Sequence, residues 1–195
     1  QKGILPAVLE VKDKGATTQK TIFPGAMASY KGREVAVQLF RDEMGVPSEV
    51  VLNNSIENLE YELSNAIRKL QARLKPKVAF LEGHGEWDSL HVADFSAALS
   101  EYYIVDRINL KGQLKKLEKI KEYKAIIVAK PDTIVPEQDK FILDQYLMEG
   151  GKLMFLVDPV YTSMDSLTSS EFTYGLPRKV NLDDMLFKYG VRANY

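Results

Sequence analysis

The residues best suited to chemistry lie directly after the apolar run KVAFLE, where Gly83, His84, Gly85 and Glu86 follow one another. A histidine whose pKa lies near neutrality, with a carboxylate a few ångströms away, is suited to proton transfer. His84 and Glu86, together with Asp158 after a later apolar run, would therefore supply the side chains of a hydrolase. Alternatively, the two glycines allow a tight turn, and His84 only holds that turn by hydrogen bonding to the backbone.

Other signs of catalysis are absent from the sequence. There is no cysteine, and the two histidines, His84 and His91, are few for a metal centre that needs at least three ligands. No G-x-S-x-G elbow, G-x-G-x-x-G loop or Walker A loop is present. We therefore predict a protein that is not an enzyme, with no catalytic residue, metal or cofactor. A hydrolase that uses His84, Glu86 and Asp158 is the alternative.

A binding role is the other function that these residues suggest. Trp87, the only tryptophan, follows the Gly83–Glu86 turn and would serve either as a platform for a ligand or as a cover for the end of the sheet. The Ser/Thr-rich stretch from Thr162 to Thr173 would be either a binding lid or a surface connection. The predicted ligand- or partner-binding residues are Gly83, His84, Gly85, Glu86, Trp87 and Asp158.

Composition narrows the classes of function. The chain of 195 residues is 45% apolar and 27% charged, with a formal net charge of -1, as in ordinary globular proteins. Its aromatic residues are not interleaved with basic patches, so we expect no nucleic-acid partner. No apolar run approaches the roughly 18–20 residues that cross a bilayer. Because the sequence opens without Met and closes where a new strand would begin, we expect it to be a piece of a longer protein.

The start of the chain predicts a small β-rich subdomain over residues 1–53. Its short β-type runs are separated by turns, with a hairpin turn expected at Tyr30–Arg33. An α/β domain is expected over residues 54–195, beginning with a helix in NNSIENLEYELSNAIRKLQARLK. Asn54 and Glu57 resemble a capping box at its start, apolar residues recur at helical spacing, and Pro76 is expected to end it.

After this helix, strand and helix patterns alternate. The expected strands are KVAFLE, YIVDRINL, KAIIVAK and KLMFLVD. The expected helices are HVADFSAALSEY, LKKLEKIKEY, a helix that starts at Pro136, and LDDMLFKYG with Asn181 as its N-cap. Alternation with short connections predicts a mainly parallel sheet in a three-layer sandwich. Ligands of such sheets bind outside the carboxyl ends of the strands, where Gly83–Glu86 and Asp158 would lie.

Several segments together resemble the GldG family, the auxiliary components of gliding-motility ABC transporters. They are ENLEYELSNAIRKL, KPKVAFLEGHGE, LMEGGKLMFLVDP and NLDDMLFKYGV, in this order along the chain. The resemblance covers most of the sequence from Ser55 onward. It implies a class I glutamine amidotransferase-like, flavodoxin-like fold, but this chain lacks the cysteine nucleophile of amidotransferases.

The resemblance also implies a location and partners. The parent protein would be anchored in the bacterial inner membrane, with this domain on its periplasmic side, and would associate with the permease and ATPase subunits of an ABC transporter linked to gliding or export. We therefore expect an extracytoplasmic domain that recognises a protein or a saccharide. A domain that only spaces apart the moving parts of the transporter is a further alternative.

Overall fold

The chain forms two compact units in a computed structural model. The structure describes residues 3–13, 16–40, 45–72, 74–162, 168 and 172–193. The first unit runs to Leu74 and the second begins at Lys75. The sequence-based domain boundary, between residues 53 and 54, stays a prediction, but the structure groups the helices after residue 47 with the strands before them. Within the described ranges, no helix is both long and apolar enough to span a membrane.

The first unit contains two antiparallel strand pairs. They are β1 (Ala7–Asp13) with β2 (Ala16–Ile22), and β3 (Gly25–Tyr30) with β4 (Arg33–Gln38). The predicted hairpin turn is confirmed, because Tyr30 pairs with Arg33 across the two residues Lys31 and Gly32. Both of these residues have positive φ, 47° and 78°, as two-residue hairpin turns commonly require.

The predicted long helix is two helices, α1 (Ser48–Glu57) and α2 (Leu59–Gln71). The predicted capping box is wrong, because α1 begins after Pro47 and Asn54 therefore lies inside it. A single residue, Asn58, separates the two helices, and both its backbone N–H and its side-chain amide donate to the carbonyl oxygen of Asn54, at 3.0 and 2.9 Å. The helix also ends at Gln71, several residues before Pro76.

The second unit is built on a four-stranded parallel sheet, so the predicted mixed α/β fold with a parallel sheet is confirmed. The strands lie in the order β6-β5-β7-β8, with bounds β5 (Lys77–Glu82), β6 (Ile104–Asn109), β7 (Tyr123–Ala129) and β8 (Leu153–Leu156). The helices are α3 (Ala93–Ser100), α4 (Lys116–Ile120), α5 (Glu137–Met148) and α6 (Asp183–Lys188). A short pair, β9 (Val160–Tyr161) and β10 (Leu176–Pro177), follows the sheet.

Both faces of the central strand β5 are covered, as its continuous apolar run predicts. Leu81 belongs to a core cluster that includes Ile142 of α5, whereas Phe80, pointing to the other face, packs in a second cluster with Val92 and the partly buried Leu99 of α3. The narrower assignment to a flavodoxin-like or amidotransferase-like fold stays a prediction.

The start of α6 differs from the sequence-based expectation. The predicted N-cap, Asn181, does not cap this helix, which begins at Asp183 with Leu182 at the N-cap position. Asn181 instead has a positive φ of 62°, and its amide donates to the carbonyl oxygen of Val135 and to Glu137 Oε1 at 3.0 and 2.8 Å. The residue therefore ties the segment before α6 to the start of α5.

Candidate functional site

The Gly83–Glu86 turn follows β5 at the carboxyl edge of the sheet. At both of its glycines, the backbone conformation and the close neighbours disfavour a residue with a Cβ. Gly83 has φ of 120° and Gly85 has φ of 72°, values that residues with a Cβ rarely adopt. A Cβ on Gly83 would lie 2.7 Å from Nδ2 of Asn109, and one on Gly85 would lie 3.0 Å from Cβ of Asp132. The turn is therefore packed tightly against its neighbours.

Backbone hydrogen bonds fasten the same turn to the end of β7. The carbonyl oxygen of His84 accepts the N–H groups of Asp132 and Thr133, both at 2.9 Å. Three residues after His84, the N–H of Trp87 donates to the carbonyl oxygen of Ala129 at 3.0 Å. This edge of the sheet is thus held by two neighbouring loops that brace each other.

The side chain of His84 lies between two buried carboxylates. Its Nδ1 is 2.9 Å from Oε1 of Glu86, and its Nε2 is 2.9 Å from Oδ2 of Asp139. The three side chains are only 4%, 1% and 2% exposed, respectively. Asp139 comes from the first turn of α5, so the cluster joins the β5 turn to that helix.

This geometry favours the doubly protonated ring, because each nitrogen faces a carboxylate oxygen that can only accept. The hydrogen bond to Glu86 raises the pKa of His84 above its ordinary value, burial opposes this, and the bond to Asp139 raises it further. Burial alone would raise the pKa of Glu86, but hydrogen bonds from the side chain and backbone of His84 outweigh it, so that pKa is lowered. The geometry and the raised pKa of His84 therefore both favour a protonated ring between the two acidic side chains.

The remaining carboxylate oxygens of the cluster are also bonded. Oε2 of Glu86 accepts the backbone N–H of His84 at 2.6 Å, and Oδ1 of Asp139 accepts the N–H of Gly112 at 2.7 Å. In the described part of the chain, every buried side-chain nitrogen or oxygen has a partner. His84 has no ring nitrogen left over for a substrate in this arrangement, so the cluster holds three segments of chain together.

A group of exposed and partly exposed side chains lies at the same edge, and we call Trp87, His91, Lys130 and Asp158 the edge patch. The rings of Trp87 and His91 stack at 5.8 Å between centroids, and Nζ of Lys130 lies 5.1 Å from the centroid of the indole ring. Oδ2 of Asp158 is 3.7 Å from that Nζ. Trp87 is 42% exposed. The patch thus presents aromatic, cationic and anionic groups side by side.

Two further contacts set the geometry of the edge patch. Oδ1 of Asp88 accepts from the backbone N–H of His91 at 3.0 Å and lies 2.7 Å from its ring Nδ1. The N–H of Lys130 donates to the carbonyl oxygen of Leu156 in β8 at 2.8 Å, which fixes its backbone although its φ of 53° is unusual for a residue with a Cβ. The patch is therefore built from the ends of several strands.

The structure brings together some of the predicted site residues and separates others. His84 and Glu86 are hydrogen-bonded, whereas Trp87 and Asp158 meet through Lys130. Among the described contacts, none joins Asp158 to His84. Most of the predicted lid from residue 162 to 173 lies outside the described residues.

The sequence reasoning missed three residues. Asp139 lies 55 positions from its partner His84, and its only sequence signal is an acidic residue in the first turn of a helix. His91 and Lys130 had no signal beyond their places after β5 and β7. In the described ranges, there is no group of three or more His, Cys, Asp or Glu residues that could hold a metal ion.

The fold and the edge patch define a parallel α/β domain that carries an exposed mixed surface at the carboxyl edge of its sheet. A family model described as an ABC-type uncharacterized transport system, ABC_transp_aux, matches residues 75–195. This match covers well over half of the chain, which therefore belongs to that family, the auxiliary components of ABC-type transport systems. No curated protein and no solved structure matches the chain. The predicted family is thus confirmed at this level, and the narrower GldG assignment stays a prediction.

Proposed function

We propose that this chain is the extracytoplasmic domain of a membrane-anchored auxiliary subunit of an ABC transporter linked to gliding motility or export. The domain acts by recognising a protein of the transport system, in a complex with the permease and ATPase subunits, on the periplasmic side of the inner membrane. Membership of the ABC transport auxiliary family supports the link to a transporter. The resemblance of the sequence to the GldG family supports the location and the connection to gliding.

The contrast between two groups of side chains at one sheet edge carries the recognition proposal. The titratable cluster of His84, Glu86 and Asp139 is buried, and its members bond to one another. Trp87 and its exposed neighbour His91, only a few residues along the chain, face solvent. A site for proton transfer needs a reacting group that a substrate can reach, whereas a binding surface needs only exposed complementary groups. The edge patch meets the second requirement.

A protein is the ligand that the edge patch fits best. Tryptophan is enriched among the residues that dominate protein–protein binding, and charged groups around it add specificity. Lys130 and Asp158 supply one charge of each sign beside the indole ring of Trp87. Binding of a saccharide in place of a protein would be an alternative outcome of the experiment below.

Affinity purification of the parent protein from its native membranes tests this proposal, with co-purifying proteins identified by mass spectrometry. We expect the wild type to recover an ABC permease and its ATPase. Lys130→Glu, which reverses the charge beside Trp87, should lower this recovery. The matched control is Lys124→Glu, the same charge reversal at an exposed residue near the start of β7. Lys124 lies at the amino ends of the parallel strands, whereas the edge patch lies at their carboxyl ends.

Equal recovery with both charge reversals would refute recognition through the edge patch and would favour a domain that only spaces the transporter's parts. A wild-type protein that recovers no transporter subunit would contradict the proposed partnership itself. The alternative, a hydrolase that uses His84, would then have to be tested. For that activity, the ring of His84 would have to break its bond to Glu86 or to Asp139 before that nitrogen could accept a proton from a substrate.

A further inference from the structure

Strand β8 is at one edge of the parallel sheet, beside β7 and with no strand on its other side in the described part of the chain. The carbonyl groups of Lys152 and Leu156 accept N–H groups from the β7 side. Because successive residues of a strand direct their backbone groups to opposite sides, the N–H and C=O groups of Leu153 and Phe155 point away from β7, and the same alternation extended past Leu156 assigns those of Val157 to this side. Such a row of outward groups is a template for pairing with another strand.

The side chains of β8 and its flanks also divide into two sets. One set packs against the main core cluster and consists of Leu153, Phe155 and Val157. Alternation along the strand directs Met154 and Leu156 to the opposite face, and the same alternation extended to the flanking residues assigns Lys152 and Asp158 to that face. Met154 and Leu156 are 44% and 40% exposed, although both are apolar. The edge therefore combines backbone groups that face away from β7 with an apolar pair between two opposite charges.

We propose that β8 pairs in antiparallel fashion with β8 of a second copy of this chain, about a two-fold axis at Phe155. This register places Met154 opposite Leu156 of the partner copy, so that the two exposed apolar side chains cover each other. It also places Lys152 opposite Asp158 of the partner copy, and the symmetry repeats both contacts. Directly opposite residues share a face of the sheet and interact, so each of these pairs stabilises the dimer.

The backbone is compatible with this register. With Phe155 on the axis, the pairs that exchange two hydrogen bonds each are Phe155 with Phe155, and Leu153 with Val157 of the partner in both directions. These are the residues whose backbone groups point outward. Moving the axis to Met154 or Leu156 would still place outward residues opposite each other, so the side chains select the register: the first shift would place Lys152 opposite Leu156, and the second would place Met154 opposite Asp158. A second copy is thus complementary to this edge in hydrogen bonding, apolar contact and charge.

Disulfide cross-linking tests the pairing directly, because the chain contains no cysteine of its own. In the proposed dimer, positions 154 and 156 of different copies form a pair without mutual backbone bonds, with Cα atoms about 4.5 Å apart, within the range that a disulfide spans. The double variant Met154→Cys/Leu156→Cys should therefore give a covalent dimer under mild oxidation. Either single variant places its two cysteines on a diagonal, about 7–8 Å apart, and should cross-link poorly.

Sedimentation analysis of the unmodified chain over a concentration series gives the second measurement. We expect a reversible monomer–dimer equilibrium. Lys152→Asp places like charges opposite each other twice and should raise the dissociation constant about tenfold, whereas Lys152→Asp/Asp158→Lys restores opposite charges and should return most of the affinity. The circular dichroism spectra of the variants are compared with that of the wild type, so that a folding defect is recognised.

Each outcome decides the proposal. Efficient cross-linking of the double variant alone, together with recovery of affinity by the charge swap, supports it. A wild-type chain that is monomeric at every concentration overturns it, and shows that the β8 edge is unpaired or is covered by other parts of the protein. Equal cross-linking of the single and double variants, or a charge-swapped variant as weak as Lys152→Asp, shows association in another register and also overturns it.

Discussion

Removal of the buried imidazole should destabilise the second unit strongly. In the wild type, the carboxylates of Glu86 and Asp139 each lie 2.9 Å from a ring nitrogen of His84. In His84→Ala, both carboxylates would lose the cation between them while remaining buried. Breaking a buried ion pair by removing one partner costs about 3–5 kcal/mol. Each carboxylate keeps one backbone N–H donor, which favours the lower half of that range.

Urea unfolding followed by the fluorescence of Trp87 measures this loss. Trp87 is the only tryptophan and lies in the second unit, so its signal reports the unfolding of that unit. With a slope of about 2 kcal/mol/M, a loss of about 3–4 kcal/mol lowers the midpoint by about 1.5–2 M urea. An unchanged slope would show that stability, and not the compactness of either state, has changed.

His91→Ala is the matched control, since His91 also lies beside a carboxylate. Its Nδ1 is 2.7 Å from Oδ1 of Asp88, but the two side chains are 60% and 66% exposed. An exposed pair of this kind contributes little to stability, because solvent screens the two charges. If His84→Ala lowers the free energy of unfolding no more than His91→Ala does, the buried cluster does not stabilise the fold in the way argued here.

Two other predictions concern the same edge of the sheet. The raised pKa of His84 implies a stabilisation that is complete below its ordinary pKa of 6.5 and is lost as the pH rises through the raised value. The lowered pKa of Glu86 implies a stabilisation that is complete above its ordinary pKa of 4.5 and is lost as the pH falls through the lowered value. Both contributions are complete between pH 4.5 and 6.5. The difference in unfolding free energy between wild type and His84→Ala should therefore be greatest in that range. Gly83→Ala should cost at least about 2 kcal/mol in urea unfolding, because it combines φ of 120° with a Cβ 2.7 Å from Asn109 Nδ2.

Each of these two predictions has its own check. A difference between wild type and His84→Ala that stays constant from acid to alkaline pH would contradict the protonation states assigned to the cluster. For Gly83, the control is Gly190→Ala, at a residue with φ of 84° whose added Cβ would meet no atom within 4 Å. That control should cost about 1 kcal/mol from backbone conformation alone, and an equal cost for Gly83→Ala would show that the contact with Asn109 relaxes freely.

The sequence was informative wherever local pattern determines structure. Continuous apolar runs located β5 and β7 to within one residue, and the alternation of strands and helices correctly predicted a parallel sheet. Local pattern failed where several residues compete for one role. Asn54 has the residue type and spacing of a helix cap, yet the chain had already entered α1 after Pro47.

The candidate site was predictable only in part, for a related reason. Polar residues after parallel strands must lie at one edge of the sheet, so the neighbourhood of Gly83–Glu86 and Asp158 followed from topology. Which carboxylate bonds to His84 depends instead on how α5 packs across the sheet, a tertiary contact that leaves no local signal. Asp139 therefore could not be distinguished from the other acidic residues of its helix.

The bracing of the Gly83–Glu86 turn has a consequence for the way in which Trp87 meets a partner. The backbone of Trp87 is bonded to Ala129, and the preceding turn is held through both the carbonyl group and the ring of His84. A surface that is already ordered loses little conformational entropy when it binds. Association at this edge should then resemble the docking of two rigid bodies, whose lifetime depends on the fit of the contacts and not on folding of the loop around its partner.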